Sequence, residues 1–238
     1  MFGRFLEISL ATDDIAVSVA FYEQLGFRQL PCTDAWSWPY CALSDGRLCL
    51  GLHQYAEPRV ALCFVRPGLA EATQALQFSG FVPHSSRLGF EDFHRLELRD
   101  PGGQEIKLLE ARTCSPDSEG YRETQCGYFA GFSMPVADSD ATSDYWARAG
   151  FIVHEDESLP YPHRPLTSDN LNLRLHQPLA LPQPALVFTA PDMRERVAQC
   201  REQQLPLSVR VPFGLDPQAN GLLMTPEGTQ LLLLESDY

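Results

Sequence analysis

Basic residues are scarce in this 238-residue chain: 18 Lys and Arg stand against 31 Asp and Glu, a formal net charge of -13. A surface that negative repels phosphate backbones and anionic headgroups, which sets aside nucleic acid and membrane as partners. It also favours solubility. No apolar run approaches the roughly 18 residues that span a bilayer. The opening stretch, Met1-Phe-Gly-Arg-Phe-Leu-Glu7, lacks the basic-then-apolar pattern of a signal peptide, so a cytoplasmic protein is expected. The seven cysteines are odd in number and scattered, and no C-x-x-C occurs. That excludes a disulfide framework and a zinc ribbon and suits free thiols in a reducing compartment. Also missing are G-x-S-x-G, a P-loop, G-x-G-x-x-G and H-E-x-x-H.

What is present is a repeat. Phe21-Tyr-Glu-Gln-Leu-Gly-Phe27 answers Tyr145-Trp-Ala-Arg-Ala-Gly-Phe151, and Leu48-Cys-Leu-Gly-Leu-His-Gln54 answers Leu171-Asn-Leu-Arg-Leu-His-Gln177. Ala61-Leu-Cys-Phe64 pairs with Ala185-Leu-Val-Phe188, and the block Pro101–Glu110 pairs with Pro226–Glu235. The offsets stay within 123 to 125 residues, and chance similarity would drift. Each half divides again. A strand at 5–11 leads to a helix capped by Asp14, with Val17, Phe21 and Leu25 in line and Gly26 ending it. Extended segments follow near 27–31, 38–44 and 47–54. A second unit starts with a strand at 60–66 and a helix at 68–79, then extended segments near 81–84, 93–99 and 104–110. Asp138 and Asp192 cap the matching helices of the second half. The expected fold is α+β: four βαβββ units in two tandem domains, 1–112 and 127–238, joined by a polar linker at 113–126.

Two motifs carry a family resemblance. One is Asp14-x-x-x-Ser18-x-x-Phe21-Tyr22-x-x-Leu25-Gly26-Phe27; the other is Asp100-Pro101-x-Gly103-x-x-Ile106-x-Leu108. With paired βαβββ units, they make the chain similar to the vicinal-oxygen-chelate superfamily of glyoxalase I, bleomycin-resistance proteins and extradiol dioxygenases. The resemblance spans both halves and is stronger in the first. It implies that each half curls its sheet into an incomplete barrel around a concave pocket. It says little about reaction, because one fold hosts many chemistries.

The resemblance also implies positions for a divalent metal, on the first and last strands of the units. Glu7 occupies one such position, and period-2 alternation turns it toward the pocket. The other positions hold Ala61, Lys107, and Gly51 or Cys49. The second half offers Gly131, Ala185, Leu232, and Arg174 or Asn172. An ammonium ligates no cation, and catalytic sites generally take three protein ligands. No metal and no other cofactor is therefore expected at these positions.

Alternation places Glu7, Arg95, Glu97, Glu105 and Lys107 on the concave face of the first half. A Glu7–Lys107 ion pair is expected where family enzymes hold their metal, either as a space-filling salt bridge or as part of a site. Trp36, Trp38 and Tyr40 share one side of an extended segment, suited either to wall a pocket or to cover a barrel edge. His53 and His176 recur in Leu-His-Gln, by duplication and hydrogen bonding or for chemistry. Arg174, facing small Gly131, leaves room for an anion or snorkels to solvent. The ligand-binding set is thus Glu7, Trp36, Trp38, Tyr40, His53, Arg95, Glu97, Lys107 and Arg174. Two functions follow. One is a metal-free binder of a small molecule, monomeric or homodimeric. The other is a lyase, isomerase or dioxygenase using Glu7, with metal-dependent activity disfavoured by the missing ligands.

Overall fold

The computed structural model describes residues 1–32, 38–54, 60–111 and 122–236. The first half runs β1 (Arg4–Ala11), α1 (Ile15–Gln24), β2 (Arg28–Leu30), β3 (Tyr40–Ser44) and β4 (Cys49–His53). Its second unit is β5 (Val60–Arg66), α2 (Leu69–Phe78), β6 (Ser85–Arg87), β7 (Arg95–Arg99) and β8 (Glu105–Glu110). The second half runs β9 (Tyr128–Pro135), α3 (Ser139–Ala149), β10 (Ile152–Val153), β11 (Arg164–Thr167), β12 (Asn172–His176), β13 (Ala185–Ala190), α4 (Met193–Glu202), β14 (Gly221–Met224) and β15 (Gln230–Glu235). The sheets are open, with orders β2-β3-β4-β1-β5-β8-β7-β6 and β10-β11-β12-β9-β13-β15-β14. In each, the first and last strands of a unit lie parallel, and the two units meet through an antiparallel pair, β1 with β5 and β9 with β13. Both meeting pairs carry a register shift, at Phe5/Glu7 and at Val187/Phe188.

The second sheet has seven strands, where eight were expected. Leu207 bridges Leu223 where a third outer strand would pair. Pro206 and Pro212 flank that segment, and a proline offers no N–H to a ladder.

Alternation along the strands sorts the residues onto two faces. Ile8, Leu10, Leu62, Phe64, Ile106 and Leu108 of the first sheet belong to the same buried cluster as Phe132, Met134, Leu186, Phe188, Leu231 and Leu233 of the second. Helix residues complete this shared core. Trp146 of α3 packs edge-on to Phe2 and against Phe64, and Tyr22 of α1 reaches Phe27, which meets Phe188. The other face of each sheet looks away from it.

Two reciprocal latches tie the halves. Tyr22 and Ser18 of α1 donate to the two carboxylate oxygens of Glu227, at 2.7 and 3.0 Å. Trp146 of α3, 124 residues beyond Tyr22, donates its indole N–H to Asp100 at 2.9 Å. Each half therefore anchors its helix to the turn before the other half's last strand. This fixes the inward face of α1 as Ser18, Tyr22 and Leu25, and leaves Val17 52% exposed, contrary to the Val17–Phe21–Leu25 stripe. The end of the expected linker is also held. Gln125 N–H donates to Leu25, Arg122 N–H to Asp45, and Cys126 is buried in the shared core. Asp14 and Asp138 cap their helices as expected, whereas Asp192 makes no cap bond and instead pairs with Arg196 at 2.7 Å.

Candidate functional site

The outward, concave face of the first sheet carries an unusual row. Glu7 on β1 pairs with Cys63 on β5, Cys63 with Lys107 on β8, and Lys107 with Glu97 on β7. The next row is Gly51, Ser9, Ala61, Glu105 and Arg99. Glu7, Arg95, Glu97, Glu105 and Lys107 thus share one face, as alternation predicts, and all five are buried.

Glu7 is only 1% exposed and its partners are specific. Tyr40 donates its hydroxyl to one carboxylate oxygen at 2.6 Å. His53 Nε2 lies 3.4 Å from the other. Trp38 donates its indole N–H to His53 Nδ1 at 3.0 Å, so Nδ1 is an acceptor and the proton of the neutral ring sits on Nε2, facing Glu7. Burial, then the Glu7 charge, raise the Tyr40 phenol far above its ordinary range, which keeps it a donor. A Trp–His–Glu–Tyr network results, with Tyr40 and Trp38 both against the imidazole, at ring separations of 4.7 and 6.3 Å. Trp38 and Tyr40 do share a side; Trp36 lies outside the described residues.

The expected Glu7–Lys107 ion pair is not among the ion pairs of the described residues. Gly51 is the reason. A Cβ there would fall 2.1 Å from a Glu7 oxygen, so the missing side chain is the notch into which the carboxylate leans, toward β4 and away from β8. Glu7 and Lys107 flank Cys63, whose thiol is raised by burial and by Glu7 and lowered by Lys107. Lys107, 3% exposed, is the one lysine of a chain that otherwise uses 17 arginines.

Further along the face, the carboxylates pair with arginines. Arg99 donates to Glu105 at 2.8 Å, and Arg95 Nε sits 3.0 Å from Glu97 Oε1 without a hydrogen bond between them. His84 joins here, its Nε2 2.6 Å from Glu105. One ligand atom each of His84, Glu97 and Glu105 come within 4.8 Å of one another, so among the described residues this group has a donor set able to hold a metal. His84 escaped the sequence argument because it precedes a three-residue strand, outside the family's ligand positions. Glu105 and Arg99 also line a cleft of about 450 Å³ between the halves, with Gln104, Gln183, Pro184 and Thr229.

The second half reverses the pattern. Gly131, Val187, Leu232 and Leu222 stand where the first half has Glu7, Cys63, Lys107 and Glu97. Tyr161, Leu181, Val187, Leu222, Leu232 and Leu234 form a separate apolar cluster. Tyr161 replaces Trp38 and shares a 2.8 Å hydrogen bond with Ser133. Arg174 is paired across the sheet with Ser133, and Gly131 faces Asn172, so the expected Arg174–Gly131 opposition is a diagonal one.

No family model matches the chain, and no curated protein matches it in sequence. Solved structures do match in fold. Catechol 2,3-dioxygenase superposes with a TM-score of 0.61 at 11% identity, over 96% of this chain and 86% of that one. Homoprotocatechuate 2,3-dioxygenase from Brevibacterium fuscum, in complex with 3,4-dihydroxyphenylacetate, superposes with a TM-score of 0.63 at 17% identity, over 99% and 81%. At such identity the likeness is one of fold: the chain has the architecture of the extradiol dioxygenases. No helix among the described residues is long and apolar enough to cross a membrane.

Proposed function

We propose that this protein binds a small, partly aromatic molecule on the concave face of its first half, without a metal at the positions the superfamily uses. The observation that carries the reading is the contrast between the two concave faces. The row of the second that matches Glu7, Cys63, Lys107 and Glu97 is apolar, and leucine, valine and tyrosine cluster on it. The first keeps small residues at Ser9, Gly51, Ala61 and Cys63 beside a buried carboxylate that the chain has oriented with three further side chains. Apolar walls with a few convergent polar groups are the usual form of a small-molecule site. Trp38 and Tyr40 supply the wall, and Glu7, Arg95, Glu97 and Lys107 supply the polar groups. At the superfamily's metal positions the donor set fits poorly: Glu7 is engaged by Tyr40 and His53, and its neighbours along the row are a thiol and an ammonium.

The test is a panel of small aromatic compounds read by tryptophan fluorescence. Trp146 is buried in the shared core, so a response reports on Trp36 and Trp38. Trp38→Leu is expected to weaken binding at least about tenfold, or 1.4 kcal/mol, and Glu7→Gln to weaken ligands that carry a hydrogen-bond donor. If no compound of the panel has an affinity that falls with either substitution, the site is not on this face.

One observation favours a second reading, a metal-dependent enzyme of the same superfamily: the His84, Glu97 and Glu105 group. Arg95 and Arg99 already neutralise its carboxylates, which weighs against a cation there. One equivalent of zinc or manganese after dialysis, lost in His84→Ala, supports this reading; equal uptake by the variant retires it.

A further inference from the structure

Among the side-chain polar atoms of the second half that are sealed from solvent and find no hydrogen bond among the described residues are Arg174 Nη1 and His176 Nε2. They stand two residues apart on β12, so they share a face of the sheet. His176 is 2% exposed, and its orientation is fixed. Nδ1 donates to the carbonyl of Gln177 at 2.9 Å, so in the neutral ring Nε2 presents a lone pair. Buried polar groups are rarely left unpaired, because an unmet donor or acceptor costs about 1–3 kcal/mol.

The first half shows what is missing. The equivalent His53 has its Nε2 at 3.4 Å from the carboxylate of Glu7. Gly131 replaces Glu7 and brings no side chain. The Glu7 carboxylate lies 2.1 to 2.5 Å from where Gly51 would carry its Cβ, so at the equivalent position the Arg174 side chain itself begins there. The second half has thus exchanged an internal carboxylate for a guanidinium N–H and a ring nitrogen that find no hydrogen bond among the described residues.

We propose that Arg174 and His176 bind the carboxylic acid group of a small molecule. One oxygen accepts from Arg174 Nη1, and the other carries a proton shared with His176 Nε2. A bare carboxylate alone is repelled by the Nε2 lone pair, and a neutral amide leaves the half-buried Arg174 guanidinium without a counter-charge. The proton comes from solvent. Whether it rests on oxygen or on nitrogen, the complex of a carboxylate holds one proton more than the separated partners. The groups around His176 fit this. Arg174 stands on its own strand and His163 faces it from the neighbouring segment, with Glu157 at 3.6 Å from His163 Nε2 and Asp156 beside it. The Tyr161 ring packs edge-on to His176 at 5.5 Å and walls the site. Burial, then His163, hold the free imidazole neutral.

The experiment is titration calorimetry of the full chain with benzoate and benzamide near pH 7, in two buffers of different ionisation enthalpy. Benzoate is expected to bind with uptake of about one proton. Arg174→Met is expected to weaken it at least tenfold, and His176→Gln to abolish the proton uptake, with circular dichroism confirming that both variants fold. Phe78→Ser, on the exposed end of α2 in the first half, should leave benzoate unaffected. No benzoate binding at millimolar concentration, benzamide binding as tightly as benzoate, or an affinity that follows Trp38 and ignores Arg174 each overturns the proposal.

Discussion

The two halves share strand order, helix placement and a common core, yet they treat one row of residues in opposite ways. In the first, Glu7, Cys63, Lys107 and Glu97 cross the concave face; in the second, Gly131, Val187, Leu232 and Leu222 do. The duplicated histidines also differ in chemistry. His53 accepts on Nδ1 and faces a carboxylate; His176 donates from Nδ1 and shares its face with an arginine. Residues pointing into the shared core had to stay apolar in both copies. The outward row had no such constraint, so it is charged in one half and apolar in the other.

The largest expected effect tests the notch. Gly51→Ala places a methyl against the Glu7 carboxylate and breaks its bonds to Tyr40 and His53, and it should cost about 2–4 kcal/mol in urea denaturation. The double variant with Glu7→Ala should recover most of this; a double variant no better than Gly51→Ala would show that the notch does not serve Glu7. Next, Tyr40→Phe removes a donor from a buried carboxylate, at about 1–3 kcal/mol. The corresponding His163→Phe touches no such carboxylate, and an equal loss would erase the contrast between the halves.

The latches sharpen the comparison from the side where the halves agree. Tyr22→Phe and Trp146→Phe each remove one hydrogen bond to a carboxylate of the other half, Glu227 or Asp100. Each should cost about 1.5–3 kcal/mol, with overlapping values in denaturation. A large difference would show that one latch dominates.

The smallest effect is in pH. His163 and His176 are held below their ordinary range, first by burial. The folded state binds fewer protons at these sites than the unfolded chain. Their cost to stability is therefore absent well above the unfolded value, about 6.5, and grows as pH falls from there toward the folded values. Half-buried His94 has the opposite sign. Its hydrogen bond to Glu110 raises it, so its contribution is present below about 6.5 and lost as pH rises through the folded value. Replacing His163 and His176 together by Gln should flatten the acid limb of the stability profile. An unchanged limb would show that these two rings do not titrate with unfolding.

Sequence by itself determined the repeated blocks, the βαβββ order of the first three units, the helix caps at Asp14 and Asp138, and which residues share the concave face. These follow from local periodicity and from side-chain alternation, which adjacent residues already specify. Tertiary structure decided the partners. That Glu7 turns to Tyr40 and His53, not to Lys107, depends on the space left at Gly51, a strand away in the sheet but 44 residues away in the chain. That Ser18 and Tyr22, not Val17, form the inner face of α1 depends on Glu227 of the other half. His84 reaches Glu105 only because β6, β7 and β8 are neighbours in the sheet. Periodicity gives the direction of a side chain; which atom it meets depends on distances that only the packed chain sets.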